Sequence, residues 1–390
     1  MREVAIIGVG QVPVREHWGS GLRELAVRAI LDAMNDAGIE QVDALYIGNM
    51  LGSYFSEQSN LGALIADFAG LDVKEAVSLE AACGSGAAAF RHAVLAVASG
   101  AVDTAIALGV EKLTEHSDVS PSGGLATAAD ADYEAAMGLS FVAINALLMN
   151  RYMHEYKCSK NDFSGFVINA HSNAVHNKNA MFRSPVTVEA YERAKMIAHP
   201  INLLDSSPIS DGAAAIVVTS AGKGGKSARK PIMVRACEVG MDTISLSKRT
   251  NPLRLKAVEN SASRAFATAG VKHADIDVFE AHDAFSIMTT LALEASGFSE
   301  WGCGLEWGKT DKIGINGSMP MSTFGGLKAR GHPVGATGIY QIIEATMQLR
   351  GEAPSAIQVD SPRFALTQNI GGSASFVVTS VLEKAGTQGK

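Results

Sequence analysis

Cys83 stands in the run Ala81-Ala82-Cys83-Gly84-Ser85-Gly86, between a short apolar stretch, Glu75 to Glu80, and an Ala/Val/Leu-rich segment, Phe90 to Ser99, that stops at Gly100. The spacing predicts a strand, a turn holding the cysteine, and a helix. A thiol at a helix N-terminus faces the positive end of the helix dipole, which favours the thiolate, the nucleophilic form. Gly84 and Gly86 are expected to supply the dihedrals of that turn and to let a ligand approach the backbone. Three more polar points are flanked by small residues: His282 in Glu280-Ala281-His282-Asp283-Ala284-Phe285, His332 in Gly331-His332-Pro333-Val334-Gly335-Ala336-Thr337-Gly338, and Asn369-Ile370-Gly371-Gly372. Taken singly, each histidine reads as a hydrogen-bonded turn residue. A thiolate with two imidazoles suits acyl transfer, with one base to activate the nucleophile and one group to hold a carbonyl oxygen.

These residues must be positioned by the elements around them. Val4 to Gly10 is a continuous apolar run ending in glycine, as in a buried parallel strand. Leu22 to Ala37 has helical period with Gly38 as C-cap, Val42 to Ile47 reads as a strand, Asn60 to Ala69 as a helix and Ala101 to Val110 as a strand. The alternation implies an α/β fold with a mostly parallel sheet. From Thr114 to His199 the rhythm breaks. That segment holds a Gly/Ser/Pro patch (Ser120 to Gly124), an apolar run (Ala135 to Met149) expected as a buried helix lining a channel or a subunit contact, and a polar helix near Lys160 to Lys178. The chain returns to the sheet at Gly212 to Ser220, and Ala221 to Lys230 reads as a linker. The second part of the chain repeats the first. Ala37-Gly38-Ile39 and its strand are echoed by Ala269-Gly270-Val271 and Asp277 to Phe279; the strand Gly212 to Ser220 by Gly372 to Ser380; the Cys83 turn and helix by the His332 turn and the helix Ile339 to Leu349. An internal duplication defines the architecture. If the halves pack face to face, the two turns meet at one site.

Composition bounds the function. A chain of 390 residues suggests two or three domains, and 47% apolar against 19% charged residues is a globular balance. The 39 glycines fit tight turns and close helix-to-sheet packing, and a net charge of -7 argues against a nucleic-acid groove. Cys83, Cys158, Cys237 and Cys303 are far apart without a CxxC, so neither a disulfide framework nor a zinc site is indicated, and a reducing, cytoplasmic setting is expected. Met1-Arg2-Glu3 leads straight into a strand, unlike a secretory leader. The run Ala135 to Met149, interrupted by Ser140 and Asn145, is too short for a membrane span.

At these residues, and over nearly its whole length, the chain resembles the thiolase superfamily. Ala81 to Gly86 matches the nucleophile motif, and Gly331 to Gly338 matches the most specific family motif. His282-Asp283-Ala284-Phe285 matches the place where many thiolases carry Asn-Glu-Ala-Phe and the sterol-carrier-protein type His-Asp-Cys-Phe. Asn177 to Arg183 and Ser210 to Ala213 also match. The resemblance is closest to archaeal and bacterial thiolases that act with a small OB-fold, zinc-ribbon partner protein. It implies a duplicated five-layer αβαβα fold: an N-terminal half at 1–117 and 199–221, an inserted loop domain covering coenzyme A at 118–198, and a C-terminal half at 231–390. Cys83 is then the acylated nucleophile, His332 its base, and His282 a support for the second oxyanion site, with backbone N–H groups of Cys83 and Gly371 in the first. Arg183, Phe324, Gly325 and Gly326 are expected at the coenzyme A site, with no metal in this chain and a homodimer or dimer of dimers as the assembly.

Two departures stand out. The second cysteine of most thiolases is missing: Asn369 and Ala284 occupy its two known places. Ser322, with Thr323-Phe324-Gly325-Gly326, stands where relatives usually show Asn before a small residue and Gly-Gly, so Phe324 is expected to reshape the pocket. The substrate is left between acetoacetyl-CoA and a bulkier branched or aryl 3-oxoacyl-CoA such as benzoylsuccinyl-CoA. A decarboxylating Cys-His-His ketosynthase and a non-catalytic acyl-CoA-binding scaffold are the rival readings.

Overall fold

A computed structural model describes residues 1–115, 121–222 and 229–386. The first half runs β1 (Val4–Gln11), α1 (Leu22–Ala37), β2 (Ala44–Gly48), α2 (Gly52–Phe55), α3 (Leu61–Phe68), β3 (Glu75–Leu79), α4 (Ser85–Ser99) and β4 (Thr104–Glu111). The chain then leaves the sheet for α5 (Pro121–Ala126), α6 (Phe141–Tyr156), α7 (Ser164–Ala174), α8 (Val188–Arg193) and a hairpin of β5 (Met196–Ala198) and β6 (Ile201–Asn202). It returns with β7 (Gly212–Ser220) and crosses to β8 (Ile232–Met241). The second half continues with α9 (Lys256–Ala269), β9 (Val278–Glu280), α10 (Ser286–Ala295), α11 (Leu305–Lys309), α12 (Thr337–Arg350), β10 (Phe364–Gly371) and β11 (Phe376–Lys384).

The strands order as β3-β2-β4-β7-β1-β8-β11-β10-β9. The order is a duplication: β8, β11, β10 and β9 repeat β1, β7, β4 and β2. The counterpart of β3 is reduced to one parallel bridge, Phe279 to Met321. The halves join where β1 and β8 run antiparallel from Val4↔Val234 to Ile6↔Ile232. Helices α1 and α3 bury Leu25, Ile30 and Ile65 against the outer face of the first half-sheet, beside Leu45, Leu108 and Val217. Helices α4 and α12 lie between the half-sheets, where Phe90, Val97, Ile339 and Ile343 meet Ala107, Ile216, Ala365 and Val378. Helices α9 and α10, with α6, cover the far face through Val258, Phe266, Leu291 and Tyr152. These are five layers, αβαβα.

Several expectations shift. The sheet is mostly antiparallel, not mostly parallel: only β2–β3, β2–β4 and β9–β10 pair parallel, and β1 pairs antiparallel with both neighbours. Its apolar run reflects burial on both faces, which removes the alternation whatever the strand direction. The run Ala135 to Met149 is not one helix: a 3-10 turn at Ala135–Met137 ends at Gly138, and α6 starts at Phe141, capped by Ser140 Oγ accepting from the Ala143 N–H at 3.2 Å. The polar segment after it divides into a 3-10 turn, Lys160–Phe163, and α7. The last strand begins at Phe376, not Gly372, because Gly372 and Ala374 take positive φ (59° and 63°) in the tight turn joining β10 to β11. Part of the expected linker (223–228) and part of the Gly/Ser/Pro patch lie outside the described residues. Among the described residues no helix is long and apolar enough to cross a membrane.

Candidate active site

The two central helices start side by side because two positions lack a side chain. A Cβ on Gly86 would lie 2.7 Å from the Gly335 carbonyl oxygen, and one on Gly338 would lie 2.5 Å from Ala87 N and 2.5 Å from Asn369 Oδ1. With hydrogen there, the turn before α4 and the turn before α12 reach one place. Cys83, His282, His332, Gly372 and Ala284 line a common cavity of about 320 Å³.

The Cys83 turn is held by Ser85, whose Oγ accepts from Ala81 N–H at 2.9 Å and donates to the Ala82 carbonyl at 2.6 Å. The unusual backbone falls on Ala82 (φ 51°), not on the glycines, and the strain is about 1 kcal/mol. Gly84 and Gly86 serve close packing instead. The thiol also departs from expectation. Burial pushes its pKa up to about 12, with the Glu111 carboxylate adding to the rise, while backbone contacts at Cys83 itself and Gly372 oppose it. Burial therefore favours the thiol over the thiolate at this position.

His332 follows Gly331, whose φ of 110° suits only glycine, and its N–H donates to Ser210 Oγ at 3.0 Å. Its Nδ1 meets Thr337 Oγ1 at 2.7 Å, and that hydroxyl donates to the Pro333 carbonyl at 3.3 Å. With the hydroxyl donating to that carbonyl it can accept Nδ1–H, which places the lone pair on Nε2, the form a base needs. His282 is set the opposite way. Asn369 Nδ2 donates to its Nδ1 at 3.1 Å, so Nε2 carries the proton and is a donor. The rings stand perpendicular at 5.2 Å between centroids. Burial holds both neutral: the His332 pKa falls to about 3, helped by Arg330, and that of His282 falls well below the ordinary value, helped by His332.

Behind the histidines lies a buried charged network. Arg330 pairs with Glu344 at 2.9 Å, Glu280 accepts from the Thr323 N–H at 3.0 Å, and Asp283 accepts from the Leu327 N–H at 2.6 Å. These contacts hold the loop before His332, which winds as a π turn over Gly326–Arg330. A neighbouring cavity of about 440 Å³ is lined by Met181, Phe182, Arg183 and Lys328 and shares Leu203, Ser206, Ser207 and Pro208 with the first. Among the described residues no group of three His, Cys, Asp or Glu side chains is placed to hold a metal.

The family model "Thiolase, N-terminal domain" matches residues 4–222, and "Thiolase C-terminal domain-like" matches 239–384. The chain belongs to the thiolase family. It is a thiolase-type acyltransferase, and an acetyl-CoA acetyltransferase of Methanothermobacter thermautotrophicus is 41% identical to it over 386 residues, covering 98% of this chain and all of the relative. The benzoylsuccinyl-CoA thiolase subunit BbsB of Thauera aromatica is 29% identical, covering 95% of each. Two solved structures share the fold. The Ltp2-ChsH2(DUF35) aldolase has a TM-score of 0.84 at 22% identity, covering 99% of this chain and 98% of that one. The acetyl-CoA acetyltransferase from Syntrophomonas wolfei has a TM-score of 0.75 at 18% identity, covering 98% of this chain and 100% of that one.

Against the thiolase pattern read from sequence, Cys83, His282 and His332 come together. The backbone group beside the thiol comes from Gly372, one residue beyond Gly371, which is paired in β10 with Phe376. Arg183 lines the neighbouring cavity. Phe324, Gly325 and Gly326 are not among the residues lining either cavity: Phe324 is 2% exposed, and the two glycines shape the turn into the π segment. The pocket is narrowed instead by Phe141, Phe285 and Met288. Phe141 and Asn145 were visible in sequence only as parts of an apolar run, and the one clue was that a polar residue interrupted it.

Proposed function

We propose that this thiolase cleaves a 3-oxoacyl-CoA with coenzyme A, reversibly, through an acyl-Cys83 intermediate. The observation that carries it is a thiol, a base-form imidazole and a donor-form imidazole on one cavity wall. As Cys83 Sγ attacks the 3-oxo carbon, His332 Nε2 takes the thiol proton. The oxyanion is held by the N–H groups of Cys83 and Gly372. The bond between C2 and C3 breaks, and the departing enolate is held by His282 Nε2–H. The His332 proton passes to C2, releasing acetyl-CoA. The thiol of coenzyme A then attacks acyl-Cys83, its proton returning through His332 to the cysteine. In this scheme one base serves both half-reactions, so no second cysteine is needed.

The substrate class follows the relatives' names, from acetoacetyl-CoA to a bulkier 3-oxoacyl-CoA, and the apolar wall of Phe141, Phe285 and Met288 supports room beyond acetyl. In this reading Arg183 and Lys328 receive coenzyme A in the neighbouring cavity, under an inserted segment at 118–198 between halves at 1–117 with 199–221 and 231–390. A small partner protein belongs to the proposal. The Ltp2 structure contains ChsH2(DUF35), and here Leu203 (58% exposed) and Ile197 (45%) present apolar side chains at the cavity mouth. A homodimer is supported by β3, an edge strand with Val77 exposed. The free cysteines suit a cytoplasmic setting.

The test is incubation with acetoacetyl-CoA and coenzyme A, with malonyl-CoA in parallel, followed by peptide mapping. Thiolysis with an acyl group on Cys83 is expected. Decarboxylation of malonyl-CoA without thiolysis favours the ketosynthase reading. Acyl label retained at the wild-type level in Cys83→Ser overturns the role of the cysteine.

A further inference from the structure

β4 is apolar from Ala105 to Val110 and ends on Glu111. That side chain is fully buried, and the proposed reaction gives it no role. Its carboxyl group is caged by four donors. Oε1 accepts from the Leu51 N–H at 3.1 Å and from Asn49 Nδ2 at 3.0 Å. Oε2 accepts from the Met50 N–H at 2.9 Å and from the Gly335 N–H at 3.0 Å. The Asn49 amide is oriented by its other contacts: Nδ2 also donates to the Val110 carbonyl at 2.8 Å, and Oδ1 accepts from the Gly52 N–H at 2.7 Å. A protonated carboxyl would set its O–H against an N–H, so the cage selects the ionised form. Burial works the other way and raises the pKa, with the four donors opposing it.

The donors belong to two loops that meet at the reacting groups. Gly335 lies three residues beyond His332, in the turn before α12. A Cβ on Gly335 would lie 2.6 Å from Glu111 Oε2, so the glycine lets that turn close over the carboxylate. Met50 and Leu51 follow β2 and form, with Val334, part of the apolar cluster against which Ala82 and Cys83 pack. No cation among the described residues pairs with Glu111. Lys112, next in sequence, turns instead to Asp211 at 2.7 Å and Glu115 at 3.0 Å. The fold thus sets a negative charge without a counter-ion into the wall behind the nucleophile.

We infer that Glu111 is a positioning residue of the acyl-transfer site, whose buried charge beside Cys83 keeps the nucleophile a thiol until His332 takes its proton. The inference rests on the thiolase reading above and adds a residue outside its scheme. The other groups facing Cys83 come from three sides. Glu80, at the end of β3, acts in the same direction, and the backbone of Cys83 and Gly372 opposes it. His282 and His332, with Arg330 behind them, are held neutral by burial and add no charge of their own.

The experiment follows alkylation of Cys83 and of the exposed Cys303 by iodoacetamide in the same sample, by peptide mass mapping, from about pH 6 to about 10. In the wild type, Cys83 is expected to begin reacting at higher pH than Cys303. Earlier reaction of Cys83 overturns the inference whether or not a variant folds. In Glu111→Gln the Cys83 onset should move down by about one pH unit, roughly tenfold faster alkylation at a fixed pH, with Cys303 unchanged. Glu111→Asp keeps the charge and shortens its reach, so the onset should stay near wild type while thermal unfolding records the weakened cage. A purely structural clasp would lower the unfolding temperature of both variants and move the onset in neither, and that result overturns the inference. Alkylation uses no acyl-CoA, so cleavage of acetoacetyl-CoA by the same samples tests the thiolase reading separately.

Discussion

The turn before α4 and the turn before α12 hold equivalent places in the two halves, yet they deliver opposite things. The first presents the Cys83 thiol from a strained loop, Ala82 at φ 51°, held by the Ser85 hydroxyl and the Glu80 carboxylate. The second presents the His332 imidazole from a loop held by Thr337 and Ser210, with the Arg330–Glu344 pair behind it. The difference extends to the sheet, where β3 is a full edge strand beside the nucleophile and its counterpart near His282 is a single bridge. Duplication therefore supplied the meeting of two helix N-termini. The difference in chemistry comes from what each turn holds, a thiol in one and an imidazole in the other.

The largest test of this contrast is His332→Ala. With the thiol protonated at rest, loss of the base should slow Cys83 acylation by roughly 10²–10⁴-fold. Replacing Cys158, Cys237 or Cys303 by Ala should leave the rate near wild type. A Cys303 or Cys158 variant that is folded yet slower than His332→Ala would show that a displaced thiol carries the proton.

The second test is acid stability. The His332 pKa is about 3 in the folded chain and that of His282 is also depressed, so the unfolded chain binds these protons first. Stability should rise with pH from about 3 to about 6.5 and be lost as pH falls through that window. The share from His332 alone is on the order of 4–5 kcal/mol. The Cys83 pKa moves the other way, to about 12, so its contribution is lost only above the pKa of a free thiol, about 8.5. Urea unfolding of wild type and His332→Asn across pH should show a flatter acid slope in the variant. An unchanged slope would remove His332 from the account. The neutral imidazoles also mean that acylation should lack an imidazole-like ionisation near pH 6.5, although unperturbed side chains would give one.

The smallest test is Ala82→Gly. Glycine adopts φ 51° without a Cβ penalty, so the variant should gain about 1 kcal/mol in chemical denaturation. A gain accompanied by slower acylation would mean that the strain at this turn positions the thiol. A loss of stability would mean that the Ala82 methyl, packed with Met50, Leu51 and Val334, outweighs the strain.

Much of the fold was legible because local signals decide it. Leu22 to Ala37 was bounded correctly, since its apolar face and the αL glycine at 38 act within a few residues. The duplication was legible because like sequences fold alike, and the residue types of Cys83, His282 and His332 named the chemistry. What misled were features that depend on surroundings. The direction of β1 is set by partners more than 200 residues away, and the start of the last strand by a tight turn at Gly372 to Ser375. The charge state of Cys83 is the clearest case. Sequence shows a helix start, which favours the thiolate, but only the fold shows the burial that pushes the thiol pKa up.

By itself, then, the sequence determined the family, the duplicated layers and the three side chains, Cys83, His282 and His332, that meet at one cavity, because motif and periodicity are properties of adjacent residues. Only the tertiary structure showed which neighbour each ring meets, Thr337 for His332 and Asn369 for His282, and Asn369 lies 87 residues from the ring it holds. It also decided that Asn145 lines the cavity beside Cys83 while Phe324 does not, because which side of a helix or loop meets a cavity depends on everything packed behind it.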